Sequence, residues 1–312
     1  MKIAIDLMGG DNAPKEIILG CKKYIEEFPD DKLIMVGTED VRKYPEILNI
    51  LQNSSSELMI TDTFVDMNDS PLMIKKEKIN STILKSMEVL RSKEADCTFT
   101  CGNSGAAILS AMDIIGMKDQ YSNASLLSFI PIYKRNPVAI IDVGAMGNRQ
   151  FNSDTYLEIT KLAYDFYRLF YKKDDPVIKL LNIGNEPWKG TKEHKKLYTL
   201  LKDSYKDFKG NIEGDEILKG NADIIITDGF TGNVILKLLE SVHELCTKEL
   251  DKNNCKTPNN FIHFLIEEFD YESLGGAPLL GVNGKVVLGH GKSSSKAVFS
   301  GLNFCRKYAQ IN

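Results

Sequence analysis

The chain has 312 residues, of which 43% are hydrophobic and 26% are charged, a composition typical of a globular protein with a large core. Its net charge of -4 argues against a general nucleic-acid-binding protein, which would be basic. No apolar run reaches the roughly 20 residues of a transmembrane helix, no signal peptide is recognisable, and the six cysteines form no CxxC pair. We therefore expect a cytoplasmic protein with free thiols and no metal site.

Short apolar stretches that end in glycine alternate with helical patterns along the chain. The apolar stretches are MKIAIDLMGG, KLIMVG, ADCTFTCG, PVAIIDVG, IKLLNIG and ADIIITDG. This alternation predicts a doubly wound α/β fold, with helix layers on both faces of a largely parallel sheet. We expect one integrated domain over residues 1–312, with room for two lobes. Ligands bind such sheets outside the carboxyl ends of the strands, where these glycine-rich turns lie.

The first of these turns is DLMGGDNAPKE, which contains Gly9, Gly10 and Asp11. Pro14 suits the first turn of a following helix. A helix N-terminus offers free backbone N–H groups to an anion, so the turn is a candidate phosphate site. From this stretch alone, a tight turn that needs glycine for a positive φ is the simpler interpretation.

A second turn of the same kind occurs in TCGNSGAAILSAM, where the candidate phosphate-binding residues are Gly102, Asn103, Ser104 and Gly105. Its small residues would let a ligand approach the backbone closely, although a packed turn explains them equally well. Cys101 precedes the turn, and a helix N-terminus would favour its thiolate as a nucleophile. We favour the alternative, a buried cysteine that acts as a small hydrophobic residue.

Two further turns carry the polar candidates. Asp142 follows a middle strand in PVAIIDVGAMG, and Lys189 lies beside Gly190 in NIGNEPWKGTKEHKK. Lys189 is placed to neutralise phosphate charge, or else it is simply exposed, as most lysines are. The nearby lysines predict either a solvated face or a landing patch for an acidic partner; they are Lys192, Lys195 and Lys196.

The stretch TDGFTGNVILK is the most specific of all, with Asp228, Thr231, Gly232 and Asn233. Asn233 is predicted to open a helix, where it would either cap the helix or donate to a phosphate or carbonyl oxygen. Asp228 would orient a lysine or a backbone loop. Late in the chain, GHGKSSSK lacks the glycine that a P-loop requires at position 286, but His290 is a candidate for the cleft.

The remaining histidines, His194, His243 and His263, fall in helical patterns and are predicted to be bystanders. The sequence contains no GxGxxG, which argues against a nicotinamide oxidoreductase, and we expect no cofactor.

Taken in order, these stretches resemble one family. They are MGGDNAP, GNSGA, DVGA, LLNIG followed by KG, GNIEG, TDGFTGNV, YESLGGAPLLG and the late HG–Ser turn. The resemblance covers nearly the whole chain and is to the PlsX family of bacterial phosphate acyltransferases. It implies a homodimer with a Rossmann-like fold related to phosphotransacetylases, and a partner that is an acidic acyl carrier protein (ACP).

The resemblance implies that inorganic phosphate attacks the thioester of a long-chain acyl-ACP, giving acyl phosphate for phospholipid synthesis. Phosphate is then the nucleophile, so catalysis requires positioning and oxyanion stabilisation. Lys189, Asn233 and His290 are the catalytic candidates. The phosphate-binding candidates are Gly9, Gly10, Asp11, Gly102, Asn103, Ser104, Gly105, Asp142, Asp228, Thr231 and Gly232.

The chain departs from the family pattern at three places, which are residues 123–125, 146–148 and 215–216. The resemblance also implies a helical hairpin at 234–270 with an apolar, membrane-docking tip. Here the tip is the polar DKNNCKTPNN, so we expect at most weak peripheral membrane contact. The basic patches that could receive the carrier are Lys75–Lys78, Lys134–Arg135 and Lys192–Lys196.

Two alternatives to the leading interpretation stay open. The first is a phosphotransacylase of the same fold that acts on a short-chain acyl-CoA. The second is an inactive family member that serves as a binding protein, which the departures from the pattern keep open.

Overall fold

The computed structural model describes residues 1–132, 135–146, 151–253 and 270–311. The chain divides into two compact units, one formed by Met1–Ala124 with Glu272–Asn312 and the other by Ser125–Tyr271.

The strands and helices alternate as the sequence predicts. The strands are β1 (Lys2–Asp6), β2 (Lys32–Gly37), β3 (Glu57–Ile60), β4 (Cys97–Thr100), β5 (Ser125–Ile130), β6 (Val138–Ile141), β7 (Ile178–Leu181), β8 (Phe208–Ile212), β9 (Ile224–Ile226), β10 (Ala277–Leu280) and β11 (Val286–Leu288). The α-helices are α1 (Lys15–Glu27), α2 (Pro45–Asn53), α3 (Ile74–Glu77), α4 (Thr82–Arg91), α5 (Ser104–Ser110), α6 (Ser153–Tyr171), α7 (Lys192–Ser204), α8 (Gly229–Asn253), α9 (Tyr271–Leu274) and α10 (Ser295–Ala309).

The sheet of the first unit has the strand order β3-β2-β1-β4-β11-β10. Its strands run parallel except β10, which pairs antiparallel with β11. Successive residues of a strand point to opposite faces. Here Ala4 belongs to a buried cluster that includes Val89 of α4, while its neighbour Ile5 lies beside Phe99. A Cβ on Gly301 of α10 would lie 2.4 Å from the Phe99 ring. Helices α4 and α10 therefore cover opposite faces, which gives three layers.

The sheet of the second unit has the order β5-β6-β9-β7-β8, with β5 antiparallel to β6 and the others parallel. Every residue of β6 and β9 is buried. Helix α6 packs against both of these strands, and α8 packs against β6. Continuous apolar strands with both faces covered are what the sequence pattern predicts, and the α/β class with a largely parallel sheet is confirmed.

Within each unit, parallel strands bring their carboxyl ends to the same edge of the sheet. In the first unit the turns that follow β1, β4 and β11 lie at that edge, and in the second unit those that follow β6, β9 and β7 do so. All the predicted glycine-rich turns with candidate site residues are among them. Within each unit, the topology therefore brings together candidate residues that are far apart in the sequence.

Among the described residues, no helix combines the length and the apolar character that a membrane span needs. Helix α8 covers the beginning of the predicted hairpin at 234–270 and ends at Asn253, within the polar tip, and residues 254–260 of that tip lie outside the described residues. Residues 147 and 148, where the chain departs from the family pattern, and Lys134 of a predicted carrier patch also lie outside them.

Candidate active site

In the first unit, the turn after β1 touches the turn after β4 through two glycines. A Cβ added to Gly9 would lie 2.6 Å from the Gly102 nitrogen and 2.7 Å from Asp6 Oδ2. A Cβ on Gly102 would lie 3.3 Å from the Gly9 Cα. Contacts below 3 Å are not found for real Cβ atoms, so the backbone of the neighbouring turn occupies the space that a side chain would need. The atoms that require a glycine at position 9 therefore belong to the protein and not to a ligand.

Asp6 is a buried carboxylate beneath these two turns. Its Oδ1 accepts from the Met8 N–H at 3.0 Å, and its Oδ2 accepts from the Thr100 hydroxyl at 2.9 Å. The Thr100 oxygen accepts in turn from the Gly102 N–H at 3.0 Å. Burial raises the pKa of Asp6, and these donors oppose that rise. The network fixes the turn after β4 to the end of β1, and sequence reasoning identified neither Asp6 nor Thr100.

The third turn of this edge, after β11, is bonded to the first. Gly10 has a φ of +106°, and the Asp11 N–H donates to the Gly291 carbonyl at 2.7 Å. The Asn12 side chain donates to the Lys292 carbonyl at 3.0 Å. The His290 ring accepts from the Lys292 N–H through Nδ1 at 3.2 Å. The structure thus brings the predicted Gly9–Asp11, Gly102 and His290 turns together.

The side chain of Asn103 makes hydrogen bonds to other residues of the first unit. Its Oδ1 caps α5 by accepting from the Ala106 N–H at 3.0 Å, and its Nδ2 donates to the carbonyls of Met67 and Asp69. A Cβ on Gly105 would lie 2.6 Å from Pro71. These two predicted ligand-binding residues therefore hold the segment before α3 against α5, whereas Ser104 between them is exposed.

Cys101 is buried beside the same turn. Its side chain is 1% exposed, and burial raises the pKa of the thiol to about 12. A thiol in this environment stays protonated at neutral pH and is a poor nucleophile. The alternative of a covalent cysteine mechanism is disfavoured, and the small-hydrophobe interpretation fits the surroundings.

In the second unit, Asp142 organises the turn after β6. Its Oδ1 accepts from the N–H groups of Leu126 at 2.9 Å and Ala145 at 3.2 Å, and from the Ser125 hydroxyl at 3.1 Å. Its Oδ2 accepts from the Met146 N–H at 2.8 Å. The side chain is fully buried. The carboxylate of this predicted phosphate-binding residue is therefore hydrogen-bonded to donors of its own unit.

Helix α8 begins at Gly229, so the prediction that Asn233 opens the helix was wrong by four positions. The cap is Asp228, whose carboxylate accepts from the Thr231 N–H at 2.9 Å and the Thr231 hydroxyl at 2.6 Å. A Cβ on Gly232 would lie 2.0 Å from the Asp142 carbonyl oxygen. Asn233 lies one turn into the helix and is exposed, so its amide is available to a ligand.

An aromatic group supports the N-terminus of α8. The Tyr156 hydroxyl accepts from the Gly229 N–H at 3.2 Å, the Phe151 ring lies 4.3 Å from the Tyr156 ring, and the His194 ring stacks on Phe151 at 4.4 Å. Burial lowers the pKa of His194, and the charge of Asp228 opposes this shift. His194 was predicted to be a bystander, but the fold places it close enough to Asp228 for the carboxylate charge to affect its pKa.

The loop between β7 and α7 carries Lys189. The Lys189 carbonyl accepts from the Asn182 amide at 3.2 Å, and its side-chain stem packs over Gly184, whose added Cβ would lie 3.0 Å from Lys189 Cγ. Gly190 has a φ of +81° and packs against His194. The half-buried Lys189 therefore belongs to the same edge as His194 and Asp228.

Within the second unit, then, the fold gathers Lys189, Asp142, Asp228, Thr231 and Gly232 at the carboxyl ends of neighbouring strands. Tyr156, Phe151 and His194 were missed because helical periodicity assigns them only to a helix or its approach. A signal was present in the sequence, since an aromatic residue, Phe151, lies two residues before the helix that contains Tyr156.

The family model described as "Fatty acid synthesis protein" matches residues 1–312. The chain belongs to this family. The resemblance predicted from the eight short motifs is therefore confirmed over the full length.

Two proteins of similar sequence are named phosphate acyltransferase. The phosphate acyltransferase of Dictyoglomus turgidum is 33% identical over all of this chain and 95% of its own length. That of Staphylococcus aureus is 33% identical over 97% of this chain and 92% of its own length. A solved phosphotransacetylase from Streptococcus pyogenes superimposes with a TM-score of 0.65 at 15% identity, covering 99% of this chain and 93% of its own, and this likeness concerns the fold alone.

Proposed function

We propose that this protein is a phosphate acyltransferase that forms acyl phosphate from acyl-ACP and inorganic phosphate for phospholipid synthesis. The observation that carries the proposal is the match to phosphate acyltransferases along the whole chain. In the reaction, a phosphate oxygen attacks the thioester carbonyl, the C–S bond breaks, and the carrier leaves as a thiolate that takes up a proton.

Lys189 and Asn233 are the residues that we assign to the reacting groups of the second unit. The Lys189 ammonium supplies positive charge for phosphate, and the exposed Asn233 amide supplies donors for a phosphate oxygen or the developing oxyanion. No ion pair joins Lys189 to a carboxylate among the described residues, so its charge is available to phosphate.

The carboxylates of this edge take a different role in the proposal. The side chains of Asp142 and Asp228 accept hydrogen bonds, and both are already bonded to donors of the second unit. They hold the turn after β6 and the first turn of α8 in the geometry that positions Asn233. Thr231 and Gly232 act with them, the first through its hydroxyl and the second through its close approach to Asp142.

For the first unit, we propose that the bonded turns at Gly9–Asp11, Gly102–Gly105 and His290 form a binding wall for the thioester substrate. Their mutual contacts make the wall rigid, which suits a surface that positions a substrate. His290 is half-buried, its Nδ1 accepts from the Lys292 N–H, and we assign its ring to substrate contact.

The proposed setting is the cytoplasm, with the acyl carrier protein and inorganic phosphate as substrates and without a cofactor or nucleic acid. We also propose a homodimer, which an apolar stripe on α8 supports. The stripe consists of Phe230, Val234, Leu238, Val242 and Leu245, which are 49–69% exposed and follow one another at intervals of four or three residues. At 1.5 Å per residue it extends for about 22 Å.

The charge of α8 favours a second copy of the chain over a membrane as the occupant of this stripe. The helix carries four acidic residues and three lysines, whereas binding to an anionic bilayer requires a basic flank. Light scattering after gel filtration should give twice the mass of the chain. Leu238→Lys should give the mass of one chain, and co-sedimentation of most of the protein with anionic liposomes at physiological salt would contradict this assignment.

A trapping assay tests the proposed reaction. The protein is incubated with acyl-ACP and phosphate, and acyl phosphate is captured with hydroxylamine as the hydroxamate. The proposal expects a hydroxamate that depends on phosphate and on the carrier. A hydroxamate formed only from short-chain acyl-CoA would support the phosphotransacylase alternative, and no hydroxamate from either donor at any chain length would support the binding-protein alternative.

Two variants test the assigned residues in the same assay. Lys189→Ala and Asn233→Ala should each reduce kcat/KM by about 100-fold or more, which is the effect of removing one stabilising donor. Lys202→Ala is the matched control, because Lys202 is an exposed lysine on α7 far along the helix from its N-terminus. Full activity in both site variants would show that the roles are wrong whatever the reaction.

A further inference from the structure

The loop between β7 and α7 exposes two large apolar side chains. Ile183 is 81% exposed and Trp188 is 67% exposed. Both belong to the loop that carries Lys189. A soluble protein seldom places its tryptophan in water without a partner that covers it, because tryptophan is highly buried on average and is enriched at interfaces.

The loop does not need these side chains for its own structure. The Asn182 side chain accepts from the Ile183 N–H at 2.9 Å, and the Asn211 amide donates to the Glu186 carbonyl at 2.8 Å. The Asn185 amide donates to Glu213 at 3.0 Å. Hydrogen bonds to the backbone at both ends and the middle of the loop thus fix its shape. The backbone that carries Ile183 and Trp188 is therefore ordered before any partner binds, which reduces the entropy cost of binding.

The first turns of α7 add positive charge next to these apolar residues. Lys192 and Lys195 are exposed, lie three residues apart on one face, and form no ion pair among the described residues. Lys196 differs, since it pairs with Asp154 at 2.7 Å. We define the β7–α7 patch as Ile183, Trp188, Lys192 and Lys195.

Two other stretches expose several large apolar side chains, and their charge differs from that of the patch. Residues 62–79, with exposed Leu72 and Ile79, contain four acidic residues and three lysines, and Lys78 is paired with Asp69. Helix α8 also contains four acidic residues and three lysines. Residues 183–196 instead contain four lysines and two glutamates. Of these three stretches, only the last combines exposed apolar residues with an excess of positive charge.

We propose that the β7–α7 patch is the docking surface for the acidic acyl carrier protein. Trp188 and Ile183 cover apolar residues of the carrier, and Lys192 and Lys195 face its carboxylates at the rim. This proposal rests on the proposed function. It also gives a reason for the position of Lys189, since a carrier docked on the patch delivers its thioester to the edge where that lysine lies.

Trp188 is the single tryptophan of the chain, so its fluorescence reports on the patch directly. We expect a tryptophan-free acyl carrier protein to change the emission of the protein in a saturable way. The change should weaken as salt is raised, because the rim contacts are electrostatic. A carrier that binds, by a label of its own, without altering Trp188 emission would overturn the proposal.

Kinetics of charge variants provide the second test. Lys192→Glu with Lys195→Glu should raise the KM for acyl-ACP by about tenfold, which corresponds to about 1.4 kcal/mol, while kcat is retained. Lys202→Glu, a charge reversal at the other end of α7, should leave the KM within about twofold. An unchanged KM in the double variant, or a tenfold rise in Lys76→Glu instead, would overturn the proposal.

The two proposals fail in different ways. If the wild-type protein forms no acyl phosphate, the proposed function fails, and carrier binding by Trp188 fluorescence still decides whether the patch docks an acidic carrier. If the wild type forms acyl phosphate and the double variant binds the carrier as tightly as the wild type does, only the docking surface is wrong.

Discussion

Replacing Gly232 by alanine tests whether this glycine makes room for the chain itself or for a ligand. The new Cβ would lie 2.0 Å from the Asp142 carbonyl oxygen and 3.0 Å from Thr227 Cγ2. Real Cβ atoms keep at least 3.0 Å from such neighbours, so the first turn of α8 or the Asp142 turn must move by about 1 Å. The new Cβ is fixed rigidly to the helix backbone and the Asp142 oxygen is a backbone atom, so neither can rotate away.

The expected change in the free energy of unfolding follows from two opposing effects of the substitution. Overpacking a well-packed site costs about 1–3 kcal/mol, and a backbone clash belongs at the upper end of that range. Alanine recovers about 1 kcal/mol through its better helix propensity. We therefore expect Gly232→Ala to lower the free energy of unfolding by about 2 kcal/mol and to reduce activity, because the turn that positions Asn233 is displaced.

Urea denaturation followed by far-UV circular dichroism measures this difference. Gly214→Ala is the matched control in the same unit, since a Cβ there meets no atom within 4 Å and its φ is not positive. The free energy of unfolding of the control should stay within about 0.5 kcal/mol of that of the wild type. Equal stability of the two variants, with activity lost only in Gly232→Ala, would refute the packing argument and would assign Gly232 to the ligand.

Three further predictions concern side chains of the first unit. Asp31 accepts from the Tyr24 hydroxyl, from the amino group of Met1 and from Arg306. Burial alone would raise its pKa, but these partners hold the pKa below its usual value. Its contribution to stability is therefore complete above the unfolded pKa of about 3.9 and is lost as the pH falls through the lower folded pKa. Asp31→Ala should cost about 3 kcal/mol at neutral pH by urea denaturation, and less below pH ~4; a cost that does not change with pH would contradict this. Cys101→Ala should keep most of the acyltransferase activity, and native Cys101 should resist alkylation at neutral pH; abolished turnover would revive the covalent mechanism. Asn103→Ala should lose about 1–2 kcal/mol of stability through its helix cap, and an unchanged urea midpoint would show that the cap is dispensable.

Much of this architecture follows from local sequence patterns. Ile-rich stretches such as β6 and β9 are readable as buried strands because their apolar character is continuous. The turn after β9 is readable from Gly229 and Gly232, although the helix start was misplaced at Asn233. The cause of that error is that Asp228 caps the helix through a side-chain bond, and an aspartate after a strand is equally compatible with a ligand.

The roles of the individual glycines could not be read from the sequence. Gly9 and Gly232 look alike as small residues near a presumed ligand. In the structure, the first faces the Gly102 backbone and the second faces the Asp142 carbonyl. These partners are some 90 residues away along the chain, and a local pattern carries no information about which distant turn comes into contact.

The sequence by itself determined the α/β class, the family and the set of turns that carry the chemistry, because periodicity and turn residues are local properties of the chain. Only the tertiary structure decided what each turn does. In the structure, Thr100 donates to Asp6, the buried Asp142 carboxylate accepts from its own turn, and the His194 ring stacks on Phe151. Asn233 and Trp188 are exposed. Those outcomes depend on which strand ends lie side by side, and that is set by packing of the whole sheet.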